Sequence, residues 1–326
     1  MSARAPATRS PRWARSPRWT RSLLALLLLL GTPRADSAPP PPGLETLALP
    51  SDTLVLPPAS PRLAAPIHLA ARLSVSSHTR PTGAPDLVVH APAGVDLHDT
   101  SLIVYLHGWE GCAQVLAASG ATPCRAGEAP QPGWGLADRH DEAGTNSIMV
   151  VPQLMWRAQS GNPGRFREPG FASAWLEALV DEVLVPELGL RGREAIGEIV
   201  LVAHSGGYLT GLSLLKNDEL PISSLVLLDA LYGGADQVAA WALADPQRRA
   251  ISLFTAHPGT RGQSLRLAQL AEAGIVGSVA VQPADLREAM QGHRVVVSQT
   301  ADPHGLVPER SLSTVLAGLG LPTRSG

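Results

Sequence analysis

From about residue 67 onward, short apolar runs alternate with amphipathic stretches along the chain. Residues 69–75 and 86–90 predict the two antiparallel strands of an opening hairpin. Later apolar runs predict buried strands at 101–106, 148–151, 199–202, 225–228, 251–254 and 295–297. Amphipathic spacing predicts helices over 171–187, from Gly206 onward, and over 237–244, 264–272 and 311–319. This alternation predicts an α/β domain with a mostly parallel central sheet and helices on both faces.

The start of the chain differs in composition from the rest. Residues 1–21 carry six arginines and no acidic side chain, and an apolar run over 23–30 leads to small residues at 35–38. This order predicts a secretory signal peptide over residues 1–38, and hence an exported protein, periplasmic or extracellular. The apolar run is about half as long as a membrane-spanning helix, so no stable span is expected after cleavage; an uncleaved anchor is the alternative. Residues 39–66 predict a proline-rich spacer, and residues 67–326 suffice for one α/β domain.

Removal of residues 1–38 makes the chain acidic. It takes away seven arginines and one aspartate and leaves 19 basic and 27 acidic side chains, a formal charge of −8. Neither nucleic acid nor an anionic membrane surface is therefore expected as a partner. Two cysteines, Cys112 and Cys124, predict a disulfide bond in an exported protein, with two free thiols as the alternative. Without a nearby histidine pair they do not make a zinc site, and no metal or organic cofactor is expected.

In an open α/β sheet, the ligand site lies beyond the carboxyl ends of the strands. The polar residues that follow the apolar runs are, in chain order, His107-Gly108-Trp109, Ser205, Asp229, His257 and His304. They include a nucleophile, an acid and a base, the three groups that acyl transfer through a serine requires.

Ser205 is the candidate nucleophile because it follows a predicted strand and opens a predicted helix. A strained turn that raises a serine at the sheet edge needs small flanking residues, and here Ala203 takes the place of the usual first glycine. A serine that caps the helix N-terminus is the alternative interpretation. The amides of Gly206 and Trp109 are the candidate donors to an oxyanion, with an ordinary glycine turn at Gly108 as the alternative.

Asp229 ends a buried strand, where a carboxylate needs a partner such as a histidine N–H. A structural carboxylate that accepts bonds from loop amides is the alternative. His304 stands in the loop after the last strand and is the histidine best placed to reach the serine, with His257 as its competitor. His293 precedes a strand and belongs to the opposite edge of the sheet. His204 is expected to point away from the serine side chain.

The stretch from about residue 101 to residue 305 resembles the α/β-hydrolase superfamily. "YLHGW" at 105–109 resembles its oxyanion turn, and "AHSGGY" at 203–208 resembles its nucleophile elbow. The resemblance implies the α/β-hydrolase fold and a triad of Ser205, Asp229 and His304. Most members carry the acid after the strand that here ends at residue 254, where no Asp or Glu stands. Asp229 is in the less common, earlier position, and Asp302 is the fallback.

These features predict an exported serine hydrolase that cleaves an ester or amide bond of a small molecule or polymer through an acyl-enzyme. The alternatives are a peptidase or amidase of the same fold that acts on cell-envelope material, and a non-catalytic, hydrolase-like envelope binding protein. Candidates for an aromatic or acyl pocket, or else for the core, are Trp109, Trp134 and Trp156. Candidates to bind a carboxylate or acidic glycan, or else to form a solvated loop, are Arg157, Arg165 and Arg167.

Overall fold

Strands and helices alternate along the chain, as the apolar pattern predicts. The computed structural model describes residues 62–76, 83–158, 161–272, 274–276 and 283–324. The predicted signal peptide and most of the proline-rich spacer lie outside the described residues. The described end of the spacer is bound to the segment after β2, where the Leu63 N–H donates to the Val95 carbonyl over 3.1 Å.

Nine strands within the described residues form one sheet. They are β1 (Ile67–Ala71), β2 (Leu87–Ala91), β3 (Thr100–Leu106), β4 (Ser147–Pro152), β5 (Ile196–His204), β6 (Ile222–Leu228), β7 (Arg249–Phe254), β8 (Gly274–Val276) and β9 (Val295–Gln299). Their order across the sheet is β1-β2-β4-β3-β5-β6-β7-β9-β8. β2 is antiparallel to β1 and β4, and the other neighbouring pairs are parallel. The predicted antiparallel hairpin on a mostly parallel sheet is confirmed.

Helices cover both faces of the sheet, which is also as predicted. They are α1 (Ala113–Ala117), α2 (Leu136–Ala143), α3 (Phe171–Leu179), α4 (Tyr208–Asn217), α5 (Ala235–Ala244), α6 (Pro258–Ala271), α7 (Pro283–Gly292) and α8 (Val307–Gly318). α3 to α6 pack on one face, and α1, α2, α7 and α8 pack on the other. Along β5, Leu201 and Ala203 contact the first group while Val200 and Val202 contact the second. None of the described helices has the length and apolar character that crossing a membrane requires.

Some elements differ from the apolar pattern. The pattern does not predict α1, α2, α7 or β8; β8 has three residues, and α7 buries Leu286 and Met290. The helix predicted over 171–187 consists of α3 followed by wider, π-helical turns over Val180–Leu188. Pro186 lies in this stretch and has no N–H to donate to the preceding turn.

The segment between β3 and α2 carries the predicted disulfide bond. Cys112 and Cys124 are joined, with their Cα atoms 5.9 Å apart. Both are buried and pack against Trp134 and Trp156. Closure of a loop of this size stabilises a fold by about 3 kcal/mol in the chain-entropy model, so the bond fixes a segment that has little regular structure of its own.

Two buried histidines lie between the hairpin and α2. The ring centroids of His90 and His140 are 5.4 Å apart, and His90 Nε2 lies 3.4 Å from the Asp141 carboxylate. Burial lowers the pKa of both histidines. For His90 the loss of hydration outweighs the opposing effect of Asp141, and the Arg324 guanidinium lowers both pKa values further. The folded protein therefore favours the neutral form of this pair.

We expect the free energy of unfolding to fall as the pH is lowered below about 6.5. In this range the unfolded chain takes up protons at His90 and His140 that the folded chain resists, so acid favours unfolding. The slope is at most about 1.4 kcal/mol per pH unit for each such histidine, reached where the unfolded chain binds one more proton than the folded chain. His140→Gln should flatten the decline, whereas the same change at the exposed His293 should not. Urea titrations across this pH range measure both slopes, and equal slopes would contradict the explanation.

Candidate active site

Ser205 stands at the junction of β5 with the helix that follows it. β5 ends at His204, a short 3-10 turn covers Ser205–Gly207, and α4 begins at Tyr208. Ser205 has φ 52°, in the left-handed region, which costs a non-glycine residue on the order of 1–2 kcal/mol. The N-cap of α4 is Gly207, so the serine is not at the capping position of that helix.

Close backbone packing holds the Ser205 turn in this conformation. A β carbon on Gly207 would lie 2.1 Å from the Leu106 carbonyl oxygen. A β carbon on Gly161 would lie 1.8 Å from the carbonyl oxygen of Gly206. Neither position has room for a side chain, so β3 and the loop at residue 161 both touch the backbone of the turn.

Asp229 follows β6 and is held by several hydrogen bonds. Its Oδ2 lies 2.7 Å from His304 Nδ1 and accepts from the Thr255 hydroxyl over 2.9 Å. Its Oδ1 accepts from the Thr255 N–H over 3.0 Å and from the Thr260 hydroxyl over 2.6 Å. Complete burial of Asp229 by itself would raise its pKa, but the bonds from His304 and the two threonines lower that pKa to about 2. The carboxylate is therefore ionised at any pH near neutrality.

The contact with Asp229 decides which nitrogen of His304 carries the proton. An ionised carboxylate is an acceptor only, so Nδ1 of His304 must donate to it. In the neutral ring this leaves Nε2 with the free lone pair. His304 and Ser205 line the same cavity. The histidine is thus in the tautomer that a base acting on a serine hydroxyl needs.

The competing residues from the sequence lie elsewhere. His257 caps the N-terminus of α6, where its Nδ1 accepts from the Gly259 N–H over 3.3 Å, and its side chain is exposed. His293 is exposed at the end of α7. Asp302 accepts from the Arg310 guanidinium over 2.7 Å. The carboxylate in contact with His304 is that of Asp229.

The turn after β3 meets the Ser205 turn. A β carbon on Gly108 would lie 2.6 Å from Ser205 Cβ and 2.9 Å from the Gly206 nitrogen. Glycine at 108 therefore lets the turn that carries the Trp109 N–H approach the Gly206 N–H. The Trp109 side chain is 58% exposed and stands at the mouth of the site.

Buried polar side chains brace this turn from below. His107 Nε2 accepts from the Leu154 N–H over 2.9 Å, so its Nδ1 carries the proton and donates to the Gly108 carbonyl over 3.0 Å. The Gln153 amide donates to the Gly111 carbonyl over 3.0 Å. These bonds tie both ends of the turn to the segment after β4, and they hold its backbone amides in place.

A cavity of about 330 Å³ opens above Ser205. Its walls include Trp109, Trp134, Leu116, Tyr232, His204 and His304. Burial raises the pKa of the Tyr232 phenol, the Asp229 charge raises it further, and interaction with the Ser205 hydroxyl opposes them. Two of the three candidate tryptophans line this cavity, whereas Trp156 lines a neighbouring one.

No family model and no curated protein matches the sequence. Solved structures of esterases and serine hydrolases are similar over most of the chain. A ferulic acid esterase is 10% identical (79% of this chain, 98% of that chain, TM-score 0.47). A mutant feruloyl esterase module from Clostridium thermocellum, complexed with sinapinate, is 12% identical (80% and 98%, 0.45). A substrate-bound, fluorophosphonate-binding serine hydrolase of Staphylococcus aureus is 9% identical (79% and 98%, 0.45).

The turn with Ser205 follows β5, and the loop with His304 follows β9. The antiparallel hairpin of β1 and β2 adjoins β4 at one edge of the parallel strands. This is the arrangement that the resemblance of the sequence implies. The chain has the α/β-hydrolase fold. Asp229 follows β6 of this hydrolase fold, whereas β7, after which most members carry the acid, is followed by His257.

His204 also lines the candidate site, a contribution that the sequence did not reveal. Its ring stacks on that of His304, with centroids 4.7 Å apart and planes 30° apart. Its Nε2 lies 3.1 Å from the His304 carbonyl oxygen, which can only accept, so Nε2 carries the proton. Burial, and next the charge of a protonated His304, lower the pKa of His204 to about 4. Whichever way it lies relative to the Ser205 side chain, the His204 ring lines the same cavity and packs on His304.

The arginines after β4 are paired with nearby groups of the protein. Arg157 donates to Glu128 over 3.1 Å, and Arg165 donates to Glu168 over 3.1 Å. Arg167 donates to the Gly164 carbonyl over 3.1 Å. Their guanidinium groups therefore satisfy local partners, which favours the loop interpretation for Arg165 and Arg167 over a carboxylate-binding role.

We expect His204→Phe to slow the reaction of Ser205 with a fluorophosphonate about tenfold. Phenylalanine keeps a flat ring against His304 but removes the hydrogen bond to its carbonyl, which is worth about 1–1.5 kcal/mol. His257→Phe is the matched control, because His257 is exposed and its ring lies 5.8 Å from that of Tyr232, which also contacts His304. Labelling rates with thermal melts check this; a wild-type rate in folded His204→Phe protein would show that the bond has no role.

Proposed function

We propose that the protein is an exported serine hydrolase that cleaves an ester bond through an acyl-enzyme. The observation that carries the proposal is one combination of contacts. A serine in a strained turn shares a cavity with a histidine whose Nδ1 is bound by a buried, ionised aspartate. Each member follows a different strand, so nothing local in the sequence brings them together. Their convergence favours catalysis over a purely structural role for each.

In the acylation step, Ser205 Oγ attacks the ester carbonyl carbon and His304 Nε2 takes the hydroxyl proton. The carbonyl oxygen gains the negative charge of the tetrahedral intermediate and accepts bonds from the Trp109 and Gly206 N–H groups. Collapse of the intermediate breaks the bond to the leaving oxygen. His304 returns its proton to that oxygen, so an alcohol departs and the acyl group stays on Ser205.

Water completes the cycle by the same route. His304 takes a proton from a water molecule as the water oxygen attacks the acyl carbon. The second intermediate collapses to a carboxylic acid, and the proton returns to Ser205 Oγ. Asp229 stays ionised throughout and stabilises the imidazolium that forms in both steps. Apart from the substrate and water, each step uses only side chains and backbone amides of this chain.

The cavity supports an ester with an apolar or aromatic part next to the reacting carbonyl. Trp109, Trp134 and Leu116 supply apolar surface beside Ser205. The exposed Trp109 at the mouth leaves the site open to a small molecule or to the end of a polymer. The Cys112–Cys124 disulfide and the predicted signal peptide support export, because disulfides persist in oxidising compartments.

Ser205 is expected to be the single serine that reacts rapidly with a fluorophosphonate. Peptide mass mapping of the labelled protein should place one adduct on Ser205, because activation requires the His304–Asp229 pair. Ser205→Ala should abolish labelling and lower the hydrolysis of a p-nitrophenyl ester by at least about 10³-fold. Equal labelling of wild-type and Ser205→Ala protein would refute the proposed function.

Asp229→Asn is expected to lower turnover of the same ester by as much as about 10⁴-fold while the protein stays folded. An amide at this position lets His304 adopt the wrong tautomer and no longer offsets the imidazolium charge. Asp302→Asn is the control, because Asp302 pairs with Arg310. Turnover and thermal melts should be compared for both. An active, folded Asp229→Asn enzyme beside an inactive Asp302→Asn enzyme would move the acid to Asp302.

A further inference from the structure

A second cavity, of about 290 Å³, lies beside the candidate active site. The two cavities share Gly111 as a common wall, and the turn at Trp109 and Glu110 separates them. The second cavity is lined by Glu110, Glu128, Gln131, Trp156, Arg157 and the Cys112–Cys124 disulfide. A substrate bound at Ser205 therefore has a second, differently lined space next to it.

Backbone strain in the described chain is concentrated at the candidate active site and at this second cavity. Six described residues other than glycine have a positive φ, and two of them are the C-cap residues of α4 and α6, where this conformation is ordinary. Two more are Ser205 and Asp229. The last two are Glu110 (φ 50°) and Arg157 (φ 51°), which both line the second cavity. Unrelieved strain of this kind persists where the surrounding structure enforces it, and it is most common at binding sites.

The surrounding contacts hold Glu110 and Arg157 in this strained backbone conformation. The Glu110 N–H donates to the Ala158 carbonyl over 3.0 Å, which ties the two strained segments together. Glu128, whose side chain is 17% exposed, accepts from Arg125 over 2.8 Å and from Arg157 over 3.1 Å. These contacts and the disulfide hold the cavity wall in shape before any ligand is present.

The charges around this cavity balance. The Glu128 carboxylate pairs with two guanidinium groups, those of Arg125 and Arg157, and Glu110 adds a second carboxylate to the lining. An anionic ligand would meet the Glu110 carboxylate, and a cationic one would meet Arg157. A wholly apolar ligand would remove water from these charged groups without replacing its hydrogen bonds, which is costly. Each of these three classes of ligand is therefore disfavoured.

An uncharged polyol is the class that the lining suits. Among the described residues, no hydrogen-bond or ion-pair partner is found for the Glu110 carboxylate or the Gln131 amide, so both are available to hydroxyl groups. Trp156 adds a half-buried indole to the lining, and the Arg125 and Arg157 guanidinium groups lie 5.9 Å and 5.8 Å from its ring centroid. We propose that this cavity binds an uncharged, polyhydroxylated group of the substrate, such as a sugar residue, beside the ester that Ser205 attacks.

The first test does not depend on catalysis. Methyl glycosides of glucose, xylose and galactose should change the tryptophan fluorescence of the protein, and Trp156→Phe should remove most of that change. Glucuronate and glucosamine, which carry opposite charges, should bind at least about tenfold more weakly than the methyl glycosides. Stronger binding of either charged sugar, or no response to any of the three glycosides, would overturn the proposal.

The second test rests on the proposed function and compares two acetate esters, one of methyl glucoside and one of ethanol. Gln131→Ala should lower the ratio of their kcat/KM values about tenfold, through the sugar ester. Glu288→Ala, at an exposed carboxylate of α7, is the control and should leave the ratio unchanged. An unchanged ratio in Gln131→Ala would refute the subsite. Fluorophosphonate labelling of Ser205 reports separately on the proposed function, so the two failures are distinguishable.

Discussion

The contact between the ends of β3 and β5 is the constraint on which the rest of the site depends. Leu106 pairs with Ala203, so the two parallel strands end level with each other. Two residues further along each chain, Gly108 and Ser205 meet at a separation that excludes a β carbon on the glycine. A shift of one residue in this register would separate the amides of the first turn from the serine and turn the strand side chains to opposite faces. The geometry around the serine is therefore a consequence of strand pairing in the core.

Strand pairing also positions the negative charge of Asp229. Leu228 pairs with Leu253, and the Asp229 N–H donates to the Leu253 carbonyl over 2.7 Å. The carboxylate consequently lies against the end of β7, where the N–H and hydroxyl of Thr255 point at it. Burial of a carboxylate without such partners would cost several kcal/mol and would favour its protonated form. Because the bonds more than offset that cost, a permanent negative charge can be kept beside His304.

The sequence alone predicts the parts of this molecule whose signals are local. Apolar runs buried on both faces locate the main strands, and small residues around Ser205 indicate the strained turn before any contact is known. The apolar pattern fails to predict a helix that buries few side chains, such as α7. It also fails where side chains stop alternating between the two faces of a strand. His204 is an example: it is the last residue of β5, and the left-handed Ser205 follows it, so the two-residue period no longer says what its ring contacts. Its partner His304 is 100 residues away in the chain.

Three histidines lie close together at this site, and their contacts differ in how well each ring can accept a proton. His107 accepts a hydrogen bond at Nε2 and donates at Nδ1, so both of its ring nitrogens are committed to the neutral form. His204 is kept neutral by burial and by its neighbours, with a pKa of about 4. His304 alone has a buried carboxylate on its ring. A proton arriving from Ser205 is therefore stabilised at one imidazole and opposed at the other two. Without this division, a second positive charge stacked on His304 would destabilise the imidazolium that serine chemistry must form, and Asp229 would have to offset both.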